Sequence, residues 1–198
     1  MKGWPAIALL AAALTGSGCS QMPSGEGWIT LLDGSTLEGW TTTGNSNWRI
    51  EDGVAVADRG NGLLVAKKTY TEFQLHAEFW VSEAANSGIY VRGTDPRKIS
   101  SATAYEINIF DKRPDPSYGT GAIVGVAKVS PMPKAGGRWN VYDITVQGDR
   151  MVVVLNGVQT ADVRDRRHMG GVLALQHGAD AVKNTGIVKF RKVLIRPL

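Results

Sequence analysis

The sequence predicts an all-β protein, a two-sheet antiparallel β-sandwich of the jelly-roll kind. Three observations carry that reading. Few windows show a helical period, and short β-rich runs separated by turn dipeptides dominate the chain. Phe73, Leu75, Ala77, Phe79 and Val81 alternate with Gln74, His76, Glu78 and Trp80, the signature of a strand with one buried face. Asn156-Gly157 separates the runs Met151–Leu155 and Val158–Val163, a two-residue hairpin signal. With 198 residues, 43% hydrophobic and 20% charged, the chain is long enough for one domain with a sizeable core.

Residues 1–19 read as a targeting segment. Lys2 begins it, Ile7 to Leu14 form an apolar run too short to span a bilayer, and small residues precede Cys19. Cys19 is the single cysteine, so no internal disulfide forms. The pattern resembles a bacterial lipoprotein processing site, with Gly16 where Leu is usual. It implies lipidation at Cys19, a membrane anchor and a place in the cell envelope, with Ser20 suiting an outer-membrane lipoprotein that faces the periplasm. The alternative is ordinary cleavage and a soluble periplasmic or secreted protein. Residues 20–27 read as a tether and 28–198 as the folded domain. The formal charge of +4 is modest, and Arg164, Arg166 and Arg167 interleave with Asp162 and Asp165, so no nucleic-acid partner is expected.

The elements follow in order. Asp33-Gly34 and Asp52-Gly53 mark tight turns in the first part of the chain. In the run Asn86–Gly93, Gly88, Tyr90 and Arg92 share one face, and Ile89 and Val91 take the other. The stretch Thr94–Thr103 has no period. In Ala104–Asp111, Glu106 and Asn108 lie on one face while Tyr105, Ile107 and Ile109 share the opposite one. A polar row on such a strand suits a carbohydrate, which needs paired donors and acceptors. Lys112–Thr120, with Pro114 and Pro116, again lacks a period. Both irregular stretches are expected as rim loops over the polar face of the Glu106 strand. Trp139–Gln147, Gly148-Asp149, Met151–Leu155 and Val158–Val163 read as a meander. In Ile187–Ile195 the apolar phase changes from Val188 and Phe190 to Val193 and Ile195, which a bulge near Arg191-Lys192 reconciles.

Several segments resemble one family. They are the opening Trp28–Trp40 with its Asp33-Gly34 and Gly39-Trp40, Trp48–Val54, Asn86-Ser87-Gly88-Ile89, Tyr105–Asp111, Thr120–Ile123, Arg138-Trp139-Asn140 and Leu175-Gln176-His177-Gly178. On these the chain resembles the 3-keto-disaccharide hydrolase domain family, whose fold is similar to the concanavalin A-like lectins and glucanases. Asn108 stands where the family more often carries Gln, and Phe190-Arg191-Lys192 where it more often has Phe-Arg-Asn. The stretch 179–185 also departs from the usual short link.

The resemblance implies cleavage of an oxidised oligosaccharide or glycoside bearing a C3 ketone. The ketone acidifies the C2 proton; a base removes it, the enolate expels the C1 substituent, and water adds back. Such chemistry needs a base, a stabiliser for the enolate oxygen and an acid for the leaving oxygen. Glu106 is the first candidate for base or acid, its other reading being a hydroxyl acceptor in a lectin-like site. Arg92 is the candidate stabiliser, expected to meet Glu106 and Asn108 if their strands adjoin; the other reading is a plain ion pair. His177 carries an imidazole, a side chain suited to proton transfer, and stands at a family position, though its parity with Leu173 and Leu175 opposes that of Gln176. Asn108, Tyr90, Tyr105, Gln176, Trp139 and Asp111 are candidate substrate contacts. Trp139 is read either as a sugar-stacking or a core indole, and Asp111 either as a site carboxylate or as a turn cap.

Two rival readings remain. Glu106-x-Asn108-x-x-Asp111 resembles a degraded laminarinase strand, but retaining cleavage needs two carboxylates about 5 Å apart. The third reading is a non-catalytic carbohydrate-binding lipoprotein. No cofactor is expected and no His or Cys cluster has metal-ligand spacing, while carboxylates and carbonyls leave room for a hard divalent cation such as calcium.

Overall fold

The computed structural model describes residue 23 and residues 25–178 and 186–198. The segment before Cys19, Cys19 itself and the stretch 179–185 lie outside them. Among the described residues there is no helix, and all named strands pair antiparallel in two sheets. The larger sheet runs β11 (Val158–Arg164), β10 (Arg150–Leu155), β9 (Trp139–Gln147), β6 (Phe73–Val81), β13 (Val188–Pro197), β4 (Val54–Ala57) and β3 (Arg49–Glu51). β1 (Ile29–Leu32) also pairs with β13. The smaller sheet runs β2 (Trp40–Gly44), β5 (Gly62–Tyr70), β12 (Gly171–Gly178), β7 (Asn86–Gly93) and β8 (Tyr105–Ile109).

The core lies between the inner faces, where alternation put the apolar residues. Phe73, Leu75, Ala77, Phe79 and Val81 of β6 are all buried, and Phe79 stacks on Tyr142 of β9 with centroids 5.0 Å apart. Ile89 and Val91 of β7, Leu173 and Leu175 of β12, and Tyr105, Ile107 and Ile109 of β8 face them from the smaller sheet. Each buried Leu, Ile or Phe side chain contributes about 1.5–3 kcal/mol relative to exposure. The meander β9–β10–β11 has the predicted turns, with Asn156 and Gly157 at φ 50° and 81°. In β13 the register against β6 shifts between Phe190 and Lys192, so Val188, Phe190, Val193 and Ile195 all reach the core. The bulge turns Arg191 outward.

Two features position the polar strand β8. On one side it pairs with β7. On the other side the segment 121–124 covers its edge: Gly121 N donates to Asn108 O (3.0 Å), Asn108 N to Ala122 O (2.9 Å) and Val124 N to Glu106 O (2.9 Å). From the core, the Tyr142 hydroxyl donates to Asn108 O at 2.7 Å. The backbone of Glu106 and Asn108 is thereby held from both sides.

Candidate active site

Register across the smaller sheet aligns its outward side chains in rows. One row runs Thr41, Val65, Ala174, Tyr90, Glu106; the next runs Thr43, Leu63, Gln176, Gly88, Asn108. Neighbouring strands bring Tyr90 beside Glu106 and Gly88 beside Asn108, with Gln176 one strand further. The Gln176 Nε2 donates to the Tyr90 hydroxyl at 3.0 Å. Glu106 is 9% exposed and Asn108 4%, although both point away from the core.

The cover comes from the two irregular stretches on either side of β8. Ser101 from the first, and Arg113 and Tyr118 from the second, join Asn86, Glu106, Asn108, Phe110 and Val124 around a cleft of about 200 Å³. That is below the roughly 300–1,000 Å³ of drug-sized sites and suits one ring. The Arg113 guanidinium lies 4.9 Å from the centre of the Tyr118 ring, and the Asn108 side-chain amide donates to the Tyr118 carbonyl. Glu106 is the one carboxylate among the lining residues.

Burial pushes the Glu106 carboxyl above its ordinary value, and hydrogen bonding from Tyr90 and Gln176 opposes that rise in part. Burial and the adjacent Glu106 push the Tyr90 phenol far up, so it stays protonated and donates. Such a carboxyl, desolvated yet held by two donors, is poised to take and return a proton. Gly88 leaves room beside it. A Cβ there would sit 3.4 Å from Glu106 Cγ, 3.4 Å from Gln176 Oε1 and 3.2 Å from the Ile107 carbonyl oxygen. Gly88→Ala crowds the Ile107 carbonyl and is expected to keep the fold and lower turnover about tenfold by shifting β8, which carries Glu106, as steady-state kinetics and thermal melting will test.

Tyr90, Glu106, Asn108 and Gln176 therefore come together; the other candidates do not join them. Arg92 was expected beside Glu106. Across β7 and β12, Tyr90 faces Ala174 but Gly93 faces Val172, so β7 carries one extra residue there. Arg92 adopts φ 55° and leaves the row. Its guanidinium is fully buried and donates to Thr71 O (2.7 and 2.9 Å), Gly148 O (2.8 Å) and His168 O (3.2 Å).

His177 follows the parity of Leu175 into the core. It is 0% exposed, its Nε2 lies 2.8 Å from Gly186 O, and its ring meets Trp48 edge-on at 6.5 Å. Tyr105 likewise points inward from β8, its hydroxyl bonded to Asp165 Oδ1 at 2.7 Å. Trp139 lies on the outer face of the larger sheet, opposite Trp80, under the Arg191 guanidinium at 4.3 Å. Of the two readings of this indole, the core one is excluded, and the face it occupies is not that of Glu106.

Asp111 is committed to the loop 134–136. It accepts from Thr120 Oγ1 (2.6 Å), Ala135 N (2.9 and 3.0 Å) and Gly136 N (2.8 Å). No register shift occurs between β7 and β8 that would turn it to the face of Glu106. A paired-carboxylate arrangement with Glu106 is therefore not formed. Ser101, Arg113 and Tyr118 were not singled out from sequence; the signal for them was only the pair of non-periodic stretches around β8. Among the described residues no three His, Cys, Asp or Glu side chains group as a cation site. Glu106 and Asn108 are the side-chain oxygen donors that β8 turns to the cleft.

Comparison with known proteins agrees with this architecture. A candidate glycosyl hydrolase from Parabacteroides distasonis superposes with TM-score 0.71 at 25% identity, covering 86% of this chain and 99% of that one. The carbohydrate-binding module CBM66 of Bacillus subtilis shares the fold at TM-score 0.61 and 17% identity, over 80% of this chain and 95% of the module. A 3-keto-disaccharide hydrolase of Bacteroides thetaiotaomicron is 34% identical over 84 residues, 35% of this chain and 29% of that protein, so the chain spans under a third of that relative. The sequence profile of the 3-keto-alpha-glucoside-1,2-lyase-like domain matches residues 27–196, nearly all of the described sandwich, and the chain belongs to that family.

Proposed function

We propose that this protein cleaves glycosides that carry a ketone at C3, with Glu106 as the proton-transferring carboxylate. The carrying observation is the single desolvated carboxyl in a ring-sized cleft, flanked by the Tyr90 hydroxyl and the Gln176 and Asn108 amides. In this reading Glu106 takes the C2 proton, made acidic by the C3 carbonyl. The electron pair forms the enolate, then the C1–C2 double bond, as the C1–O bond breaks and the leaving oxygen takes the proton back from the Glu106 carboxyl, which is left ionised again. Water adds across that double bond, so the net reaction is hydrolysis. Arg113, a cation at the cleft wall, takes the enolate-stabilising part expected of Arg92. The family and the named Bacteroides relative support the substrate class. The envelope location read from the segment before Cys19 belongs to the same proposal.

The test is incubation with 3-keto-trehalose and with 3-keto-glucosides, following release of the free alcohol or sugar. Release is expected; saturable binding without release would leave a carbohydrate-binding module instead. A sharper check addresses the proton. Tyr90→Phe removes a donor that holds the Glu106 carboxyl down, so its value rises further. The acid limb of the pH–rate profile should move to higher pH in that variant, because the base must be ionised. An unmoved limb would detach Tyr90 from the mechanism.

A further inference from the structure

A second, larger cavity of about 760 Å³ opens on the same outer face of the smaller sheet, toward its β2 end. Val65, Val172 and Pro96 give it apolar walls, and Thr41, Thr43 and Thr69 supply hydroxyls. Its lining has no carboxylate, no carboxamide and no aromatic ring. Sugar hydroxyls are held by convergent polar groups and sugar faces by aromatic planes, and the Glu106 cleft has both kinds of group. The larger cavity has no aromatic plane, and the two cations of its lining are engaged elsewhere, Lys67 with Glu38 O at 2.7 Å and Arg97 with Asp95 at 3.4 Å, so beyond its threonine hydroxyls it fits an apolar body.

Its position relates it to the cleft. Thr41 and Val65 stand in the row that ends at Tyr90 and Glu106. Val65 is three strands from Glu106, about 14 Å at the usual strand spacing. The loop 94–103 crosses that row. Its ends are joined by Thr94 N to Thr103 O at 3.0 Å, and it gives Pro96 to the cavity and Ser101 to the cleft. Between them Ile99 packs against the cluster of Val65, Tyr90, Ala104, Val172 and Ala174.

We infer that this cavity receives the apolar leaving group of the substrate, so that the preferred substrate is a glycoside of an aromatic or similarly apolar alcohol. The inference rests on the glycoside cleavage proposed above and adds a substrate class to it. With the reacting ring at Glu106, the leaving group points along the row toward Val65, and Ile99, packed on that row, has to turn aside for it. Ile99 is then the side chain that sets how bulky a group passes.

Binding is tested without turnover by fluorescence titration of unoxidised 4-methylumbelliferyl glucoside against the full chain. Thr41→Trp and Thr69→Trp fill the cavity from two exposed strand positions outside the Glu106 cleft. Both should raise the probe's Kd roughly tenfold, and lower to a similar degree the ratio of kcat/KM for the 4-methylumbelliferyl 3-keto-glucoside over the methyl 3-keto-glucoside. If both substrates are cleaved while neither variant moves the Kd or the ratio, the cavity assignment is overturned and the cleavage stands. If nothing is cleaved while both variants lose the probe, the cavity assignment stands and the cleavage reading falls.

Discussion

Glu106→Gln is expected to lower kcat on a 3-keto-glycoside by about a thousandfold, in the middle of the range for losing a positioned acid–base group. The amide keeps the shape and the contacts with Tyr90 and Gln176 but cannot accept a proton from carbon. The same substitution is expected to raise the melting temperature at neutral pH. The native carboxyl titrates above its ordinary value of 4.5 because burial disfavours its charged form. A group raised in the native state contributes stability at low pH, and that contribution is lost as pH climbs through the raised value. The wild type therefore loses, toward neutral pH, a contribution that the Gln variant, with no proton to release, keeps, and the gap between the two should close in acid. Calorimetry over a pH series will measure it. A variant that turns over normally would remove Glu106 from the chemistry, and one that melts earlier than wild type at every pH would contradict the desolvation account.

Arg92→Met is expected to cost about 3 kcal/mol or more, because hydrogen bonds from a charged group contribute roughly 1.5–3 kcal/mol each. Thr71 O, Gly148 O and His168 O would lose a common donor. These carbonyls belong to the β5–β6 turn, the β9–β10 turn and the loop before β12, so one guanidinium ties together three segments from both sheets. Thermal melting should fall by roughly 10 °C for a chain of this size. Arg92→Lys should fall nearly as far, since an ammonium does not reproduce the planar fork. At temperatures where the variants remain folded, kcat should stay near wild type, because Arg92 does not reach the Glu106 cleft. A collapse of kcat with unchanged melting would return Arg92 to the catalytic set.

That contrast shows what the sequence could and could not reveal. Side-chain parity is a local property, so the buried face of β6, the hairpin at Asn156-Gly157 and the phase change in β13 were all legible. The outward pairing of Glu106 with Asn108 was legible for the same reason. Arg92 was misread because one extra residue in β7 against β12 breaks alternation, and that mismatch exists only between two strands distant in sequence. Trp139 was left open between a sugar-stacking and a core indole, because parity selects a face of a strand without saying which sheet holds the strand. His177 had the inward parity that opposes Gln176, and the fold kept it there. Arg113 and Tyr118 come from a loop with no period to read. Tyr90, by contrast, was legible from parity as soon as β7 and β8 were neighbours.

The segment 121–124 along the rim of β8 has a consequence for solubility. An open strand edge is a template on which a second molecule can add its own strand, the first step toward aggregation. Here the outer carbonyls at positions 106 and 108 and the amide at 108 are already occupied within the molecule. The Glu106 cleft can thus stay open to small solutes without recruiting other polypeptides. Proteolytic nicking between residues 119 and 127 would expose that ladder and turn the best-protected strand of the sheet into a nucleus for self-association.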